Sequence, residues 1–246
     1  MGRQRPRIRL GIIYPGGGAE QDYYRFAERL EDVVCFLVFS QKANAGHSHS
    51  LPALRETAKI TRLEHAARRL VPLRPNAVLW ACTSGSFVVG RAGALEQVRA
   101  IKAITGVPAS STSLAFVRVL RMMKVRRVAI AATYPRAATQ AFATFLAEFG
   151  IQTCDLYAHG LRNGDLSSRL DRKDVIALAK SADSPEAQAM LIPDTALPSF
   201  EILDELHALV QKPVLTANQV TMWEGLRLAG WDAGRDSRLF LKAPVT

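Results

Sequence analysis

The stretch Arg9-Leu10-Gly11-Ile12-Ile13-Tyr14-Pro15 is echoed later in the chain by Val128-Ala129-Ile130-Ala131-Ala132-Thr133-Tyr134-Pro135. Both are short apolar runs of the kind that forms a buried parallel strand. Such runs alternate along the chain with longer patterns that place apolar residues on one helical face, which is typical of βαβ units and predicts an α/β fold. We predict strands at 8–14, 33–39, 77–81, 107–109, 127–133, 151–156, 189–193 and 213–216, and helices at 19–30, 57–70, 95–104, 113–124, 137–149, 199–210 and 220–228.

Two further pairs of segments match in the same order. Ala81-Cys82-Thr83 is echoed by Pro193-Asp194-Thr195, and Gly106-Val107-Pro108 is echoed by Lys212-Pro213-Val214. Three matched landmarks predict two similar α/β halves. Because ligands of open parallel sheets bind beyond the carboxyl ends of the strands, facing halves would place Cys82 and Asp194 on opposite walls of one cleft.

The same pattern predicts how the chain divides. No stretch rich in Pro, Gly or Ser separates the halves, so we expect them to pack tightly. We assign residues 1–117 plus 222–246 to the first half and residues 118–221 to the second. The predicted helices at 113–124 and 220–228 would then cross between the halves.

The bulk composition is that of a globular protein, since 48% of the 246 residues are hydrophobic and 22% are charged. The start shows no secretion signal, and no apolar run approaches the roughly 18 residues that a membrane span needs. We therefore expect a soluble, cytoplasmic protein without a membrane partner. Cys35, Cys82 and Cys154 are too few and too irregularly spaced for a disulfide framework or a zinc site.

The formal net charge of +10 raises the question of a polyanionic partner. The basic residues are scattered, and no basic motif with interleaved aromatic residues accompanies them, which argues against nucleic acid. A positive field that attracts small anionic substrates fits the charge, as does a merely solvated basic face. A homo-oligomer is left open by the sequence.

Cys82 has the position of a reactive thiol. It follows a predicted strand and precedes a helix start, where backbone N–H groups favour the nucleophilic thiolate. The next residues, Thr83 and Ser84, offer hydroxyl donors, and Gly85 lets the backbone approach a carboxylate. We predict that Cys82 is catalytic and that Thr83 and Ser84 bind substrate. The alternative is a small buried residue that fills space at a strand end.

Asp194 is the predicted counterpart of Cys82. It follows the apolar run 189–193, so its carboxyl is expected to be only partly solvated and suited to acid–base work. Asp followed by Thr also commonly caps a helix, which is the structural alternative. The repeat favours a chemical role for Asp194 and a substrate-binding role for Thr195.

The loop after the first strand contains Gly16-Gly17-Gly18. It fits neither a dinucleotide fingerprint nor a phosphate loop, so we predict no cofactor there, only a tight turn that offers N–H groups to an anion. Tyr14 and Tyr134 would donate phenolic hydrogen bonds in the same cleft, unless they serve core packing. His47 and His49 lack further ligands for a metal ion, and no metal site is predicted.

Three motifs carry a family resemblance. They are Ala81-Cys82-Thr83-Ser84-Gly85-Ser86, the strand end at Tyr134, and Asn218-Gln219-Val220-Thr221-Met222-Trp223 followed by Leu226-Arg227-Leu228-Ala229-Gly230. Together they resemble the maleate isomerase and arylmalonate decarboxylase group of the aspartate/glutamate racemase superfamily. The resemblance spans nearly the whole chain. It implies two Rossmann-like (flavodoxin-like) parallel-sheet halves related by a pseudo-twofold axis, an active site between them, no cofactor, and small dicarboxylic or related carboxylic acids as substrates.

The resemblance also implies roles for single residues. In maleate isomerases a first cysteine attacks the double bond, which matches Cys82, and a second cysteine handles the proton, where this chain has Asp194. Arylmalonate decarboxylases keep only the second cysteine. Tyr134 matches a tyrosine that contacts the substrate carboxylate, and Asn163 corresponds to a substrate-binding asparagine. The glycines of residues 16–18 replace a Ser-Ser-Asn of the isomerases, which removes an asparagine ligand.

We therefore expect a cofactor-independent isomerase of a small anionic dicarboxylic acid, with Cys82 as nucleophile and Asp194 as acid and base. A racemase or epimerase of an amino or hydroxy acid is the first alternative. An enzyme like arylmalonate decarboxylase is the second. A non-catalytic protein that binds small anions is the third, since the change from cysteine to Asp194 equally fits decay of a catalytic pair.

Overall fold

The computed structural model describes residues 7–30, 32–40 and 48–231, in which two four-stranded parallel sheets are present. The first contains β1 (Ile8–Tyr14), β2 (Val33–Phe39), β3 (Ala77–Trp80) and β4 (Ala109–Ser111), and the second contains β5 (Arg127–Ala132), β6 (Gln152–Ala158), β7 (Ala189–Ile192) and β8 (Val214–Thr216). Their orders, β2-β1-β3-β4 and β6-β5-β7-β8, are the same. The predicted fold of two similar α/β halves is confirmed.

Helices fill the connections between the strands. They are α1 (Glu20–Glu28), α2 (Leu51–Thr57), α3 (Ile60–Leu70), α4 (Thr83–Phe87), α5 (Gly90–Thr105), α6 (Thr112–Met122), α7 (Arg136–Ala147), α8 (Gly164–Ser167), α9 (Arg172–Lys180), α10 (Leu203–Val210) and α11 (Ala217–Leu228). The seven predicted helices are all present, whereas α2, α4, α8 and α9 were not predicted. Within the described ranges, no helix combines the length and the apolar character that crossing a bilayer requires.

The strand predicted at 107–109 is β4, which begins two residues later than expected, at Ala109. Pro108 lacks the N–H group that a ladder position needs, although its carbonyl accepts a hydrogen bond from the Val78 N–H at 3.0 Å. Proline therefore sets the start of this strand. The apolar pattern alone did not reveal that boundary.

Alternate residues of the central strands face different layers. Leu10 and Leu79 belong to a core shared with the second sheet, whereas Val78 and Trp80 pack on the outer side of the first sheet. In the second sheet, Leu191 belongs to the same shared core. This follows from the two-residue period of a strand that is buried on both faces. The halves are thus joined by one continuous apolar layer.

Helices α6 and α11 lie in this shared layer. A side chain added at Gly225 of α11 would meet Leu79 and Leu10 at 2.8 and 3.3 Å, so α11, which follows the second sheet in the chain, packs on the first. Phe116 of α6, which follows the first sheet, packs on Phe142 of α7 with ring centroids 5.6 Å apart. The bounds predicted for the two halves, 1–117 plus 222–246 and 118–221, stay a prediction.

The strand register shows which of the matched segments in the two halves are structurally equivalent. Leu10 pairs with Ala77 in the first sheet as Val128 pairs with Ala189 in the second. The segments around Cys82 and Asp194 are therefore equivalent, as predicted. Tyr14, however, is level with Ala132, and Tyr134 lies beyond the end of β5. The matching Tyr-Pro pairs are not structurally equivalent.

Candidate active site

A cavity of about 520 Å³, including open solvent at its mouth, lies at the carboxyl ends of the strands of both sheets. Parallel α/β sheets place ligand sites at this edge. Its lining includes seven predicted residues, Tyr14, Gly16, Gly17, Cys82, Ser84, Asp194 and Thr195, together with Pro15, Ser48, His49, Leu54, Thr57, Gly164 and Ala196. Cys82 and Asp194, which follow equivalent strands, thus line one cavity.

Cys82 is held by the start of α4. It is the N-cap residue of this helix, and its Sγ accepts a hydrogen bond from the Gly85 N–H at 3.3 Å and lies 3.6 Å from the Ser84 Oγ. A side chain at Gly85 would come within 3.1 Å of the sulfur and 3.0 Å of the Trp80 ring. Glycine is therefore the residue that lets the backbone approach the thiol so closely.

Burial dominates the protonation of this thiol. Burial and, to a smaller extent, the negative charge of Asp194 raise the pKa of Cys82 to about 11, against the hydrogen bonds from Ser84 and Gly85. Desolvation disfavours the thiolate because the charge loses its water. The position after the strand suggested a favoured thiolate, but the structure reverses that expectation. The thiol must lose its proton before it can attack.

Asp194 is buried, with 4% of its surface exposed. Its Oδ1 accepts a hydrogen bond from the Ala196 N–H at 2.9 Å, and its Oδ2 accepts one from the Thr133 hydroxyl. No helix begins at Thr195, so the helix-cap alternative gives way to a turn that holds the carboxylate in place. A fixed carboxylate in a shielded cavity is suited to proton transfer.

The two tyrosines differ in their surroundings. The Tyr14 hydroxyl donates to the Thr195 carbonyl at 3.0 Å and accepts from the Ala19 N–H at 3.2 Å, and it borders the cavity. The Tyr134 hydroxyl donates to the Pro193 carbonyl at 2.9 Å and lies behind the lining. Burial raises the pKa of both phenols well above the ordinary value, so both remain hydroxyl donors near neutral pH.

The glycine loop brings the two halves together. Gly16, Gly17 and Gly18 all have positive φ, at 104°, 72° and 141°. A side chain at Gly18 would meet the Ala196 Cα at 2.7 Å, because the loop after β1 touches the loop after β7. Gly16 and Gly17 line the cavity, whereas Gly18 serves this close approach.

Two other predicted residues lie beside the cavity. The Asn163 Oδ1 accepts a hydrogen bond from the Leu166 N–H at 3.0 Å as the cap of α8, and the next residue, Gly164, lines the cavity. Thr83 is fully buried next to Cys82, and its hydroxyl lies within hydrogen-bonding reach of the Tyr134 phenol. A hydroxyl next to the thiol is able to donate a hydrogen bond to a bound oxygen atom.

The segment Ser48–Ser50 contributes a residue that the sequence did not assign to the cleft. Ser48 forms an antiparallel bridge with Asn163, and the His49 N–H donates to the Arg162 carbonyl at 2.7 Å. The His49 ring packs edge-on against Tyr134 with centroids 4.8 Å apart. This segment, which we call the strap, thus lines the cavity and contacts the second half.

The position of the strap in the chain could have predicted that it lies near the cavity. It follows β2, and residues that follow any strand of a parallel sheet approach the edge where ligands bind. Of the two histidines that were considered as metal ligands, His49 is described by the structure, whereas His47 lies outside the described residues. In the described ranges, no group of three or more His, Cys, Asp or Glu side chains is arranged to hold a metal ion.

Similarity to known proteins was found by sequence and by structure. A family model described as arylmalonate decarboxylase matches residues 55–240. Arylmalonate decarboxylase of Bordetella bronchiseptica is 28% identical over 169 residues, which cover 68% of this chain and 70% of that protein. A liganded arylmalonate decarboxylase with one glycine changed to cysteine and one cysteine changed to serine gives a TM-score of 0.79 at 25% identity, over 91% of this chain and 93% of that one.

A similar fold also occurs in an isomerase. Maleate cis-trans isomerase of Nocardia farcinica, in a cysteine-to-serine mutant with a covalently bound succinylcysteine intermediate, gives a TM-score of 0.81. The identity is 20%, over 91% of this chain and 93% of that one. This likeness concerns the fold alone.

Proposed function

The chain belongs to the arylmalonate decarboxylase family and, with the maleate isomerases, to the aspartate/glutamate racemase-like group, and we propose that within this group it isomerises a small unsaturated dicarboxylic acid from cis to trans. Cys82 is the proposed nucleophile and Asp194 the proposed acid and base. The observation that carries the proposal is that a thiol and a carboxylate line one cavity from equivalent positions of the two halves.

The first step is addition of sulfur to the double bond. Since burial keeps the Cys82 thiol protonated, its proton passes to the Asp194 carboxylate as the substrate is attacked. The carbon–sulfur bond forms, and the π electron pair moves to the neighbouring carbon and its carboxylate as an enediolate. The hydroxyls of Thr83 and Ser84, the two residues after Cys82, stabilise this developing charge.

The second step is transfer of the proton to carbon and back. Protonated Asp194 delivers its proton to the carbanionic carbon, which leaves a thioether with a freely rotating single bond. After rotation, the Asp194 carboxylate removes the proton, the double bond forms again, and the electron pair of the carbon–sulfur bond returns to Cys82. The Cys82 thiolate then takes the proton back from Asp194, which restores the thiol and the carboxylate. The succinylcysteine of the Nocardia farcinica isomerase is an intermediate of this chemical type.

The proposal is tested by following maleate and fumarate by proton NMR. Wild type converts maleate to fumarate, Cys82→Ala does not, and Cys154→Ala, which changes a cysteine outside the cavity lining, retains the wild-type rate. A wild-type rate in Cys82→Ala would contradict the role of the thiol. A wild type that leaves maleate and other unsaturated diacids unchanged would overturn the proposed reaction.

Decarboxylation is the second candidate, and it is favoured by the name of the matching family and of the Bordetella bronchiseptica relative. A thiol on one wall is suited to protonate the enediolate that forms when a substituted malonate loses carbon dioxide. Release of carbon dioxide from phenylmalonate, together with no turnover of maleate, would favour this reaction over isomerisation.

A further inference from the structure

His49 lines the cavity, and the proposed reaction does not use its chemistry. Only 6% of its surface is exposed. The ring Nδ1 lies 3.0 Å from the Leu161 carbonyl, and the ring packs against Tyr134. Both contacts reach the second half, so the orientation of the imidazole is fixed before any ligand binds.

The hydrogen-bond partner fixes which nitrogen carries a proton. A carbonyl oxygen only accepts, so Nδ1 is the donor to Leu161. Nε2 lies on the opposite side of the ring, and the hydrogen bond that the ring forms within the described ranges uses Nδ1. Because His49 lines the cavity, Nε2 is the ring nitrogen that is left to contact a bound ligand.

Nε2 of His49 is important because the rest of the described cavity lining lacks a cationic side chain. The described lining includes no lysine or arginine side chain, and its one carboxylate is Asp194. A substrate with two carboxyl groups must place its second one where that group meets a donor or a shared proton, because an unpaired buried charge is costly. The donors near Cys82 serve the carboxylate that becomes the enediolate. His49 is the ionisable group of this lining that is able to carry a positive charge.

We propose that His49 determines specificity by binding, through Nε2, the substrate carboxyl group that does not become the enediolate. This inference rests on the proposed function for its substrate class. One proton lies between Nε2 and a carboxylate oxygen, either on the imidazolium or on the carboxylic acid. In both states the hydrogen bond selects a diacid over its monoamide and sets which end of the substrate faces Cys82.

Two variants separate recognition from structural support. In His49→Asn the amide nitrogen takes the place of Nδ1, so the bond to the Leu161 carbonyl is retained while the group at Nε2 is removed. In His49→Gln the amide takes the place of Nε2, so a polar group remains in the cavity while the bond to Leu161 is lost. His65→Asn changes an exposed histidine of α3 and is the control.

The measurement is calorimetric binding of succinate, a saturated diacid that cannot be isomerised, and of its monoamide, succinamate. We expect His49→Asn to weaken succinate binding by about 10- to 100-fold, the effect of a charge-assisted hydrogen bond, with little change for succinamate. His49→Gln should keep more of the preference for succinate than His49→Asn, and His65→Asn should match wild type. Unchanged succinate binding in His49→Asn, equal losses for both ligands, a larger loss in His49→Gln, or no succinate binding by wild type would each overturn the inference.

The binding assay also keeps this inference distinct from the proposed reaction. If wild type binds succinate through His49 but does not convert maleate, the reaction fails and the diacid site stands. If wild type converts maleate and His49→Asn keeps the wild-type preference for succinate, the reaction stands and the role of His49 fails.

Discussion

At the scale of single residues, Cys82 experiences two opposing influences on its proton. The Gly85 N–H and the Ser84 hydroxyl favour the thiolate, whereas burial and the Asp194 charge favour the thiol, and the net pKa is raised to about 11. The position of a cysteine in the sequence identifies the first influence. The second depends on how deeply the cleft between the halves closes, which the sequence of one strand end does not encode.

The raised pKa predicts slow alkylation of Cys82 near neutral pH. Iodoacetamide reacts with the thiolate, so the rate should rise as pH increases from the ordinary value of 9.0 towards about 11. Peptide mass mapping of time points isolates Cys82 from Cys35 and Cys154. Rapid modification of Cys82 at pH 7, with a rate that no longer rises above pH 8, would show that the thiolate is favoured instead.

We predict that catalysis needs an acid–base group at position 194. A side chain that can bind and release a proton should replace Asp194, whereas one that cannot should not. Asp194→Asn keeps the size and the acceptor for the Ala196 N–H but cannot move a proton, so we expect kcat to fall by about 100-fold or more. Asp194→Cys restores an acid–base group and should retain substantially more activity than Asp194→Asn. Initial rates with a substrate that wild type converts check this order, and equal activity of Asp194→Asn and wild type would remove the proposed role.

At the scale of elements, the pattern of apolar runs predicted all eight strands of the described ranges. The signal is strongest for central strands such as β3 and β7, which are buried along their whole length. The shorter α4 and α8 were missed, since helices of four or five residues show no periodicity. Helix α9 had a local signal in the capping box of Asp171 and Asp174. The strap was missed because its contacts to the second half are distant in sequence.

The loop after β1 is predicted to tolerate no side chain at Gly18. Gly18→Ala combines a φ of 141° with a Cβ only 2.7 Å from the Ala196 Cα, so we expect unfolding to become easier by about 3 kcal/mol or more. Gly106→Ala is the matched control. It has φ of 71° but no atom within 4 Å of the added Cβ, and it should cost about 1–2 kcal/mol. Urea unfolding measures both, and equal losses would show that the loops separate easily.

At the scale of the whole molecule, the halves are joined by polar contacts as well as by the shared apolar core. Asp22 of α1 is 2% exposed, and its Oδ2 accepts hydrogen bonds from the Ser199 and Phe200 N–H groups and from the Asn218 amide. These partners belong to the connection after β7 and to α11. No sequence pattern predicted this junction, because its members come together only when the halves dock.

The junction is predicted to need an acceptor but not a charge. Burial raises the pKa of Asp22 from its ordinary value of 3.8, against the hydrogen bonds from Asn218 and Ser199. The carboxyl therefore ionises more readily in the unfolded chain, and the folded state loses stability as pH rises above about 3.8. Asp22→Asn keeps an acceptor and escapes this cost, so its stability relative to wild type should increase from pH 4 to neutral pH. Asp22→Ala leaves buried donors unpaired and should lose about 3 kcal/mol.

Chemical denaturation at several pH values tests the junction. A wild type that gains stability over Asp22→Asn as pH rises would show that the ionised carboxylate is favoured by the fold, contrary to the direction of its pKa. Near-equal stabilities of Asp22→Ala and wild type would show that the two halves dock without this junction.

The proposed pairing of Cys82 with Asp194 across one cavity is tested most directly by trapping the covalent intermediate. Wild type and Asp194→Asn are each incubated with maleate, quenched with acid, digested and mapped by mass spectrometry, with Cys82→Ala as the control. We predict a succinyl thioether on Cys82 of wild type and none on Asp194→Asn, because Asp194 takes the thiol proton and delivers it to the carbon next to the sulfur-bearing one. A thioether that forms in Asp194→Asn as fast as in wild type, or a Cys82 that stays unmodified in a wild type that converts maleate, would contradict the account.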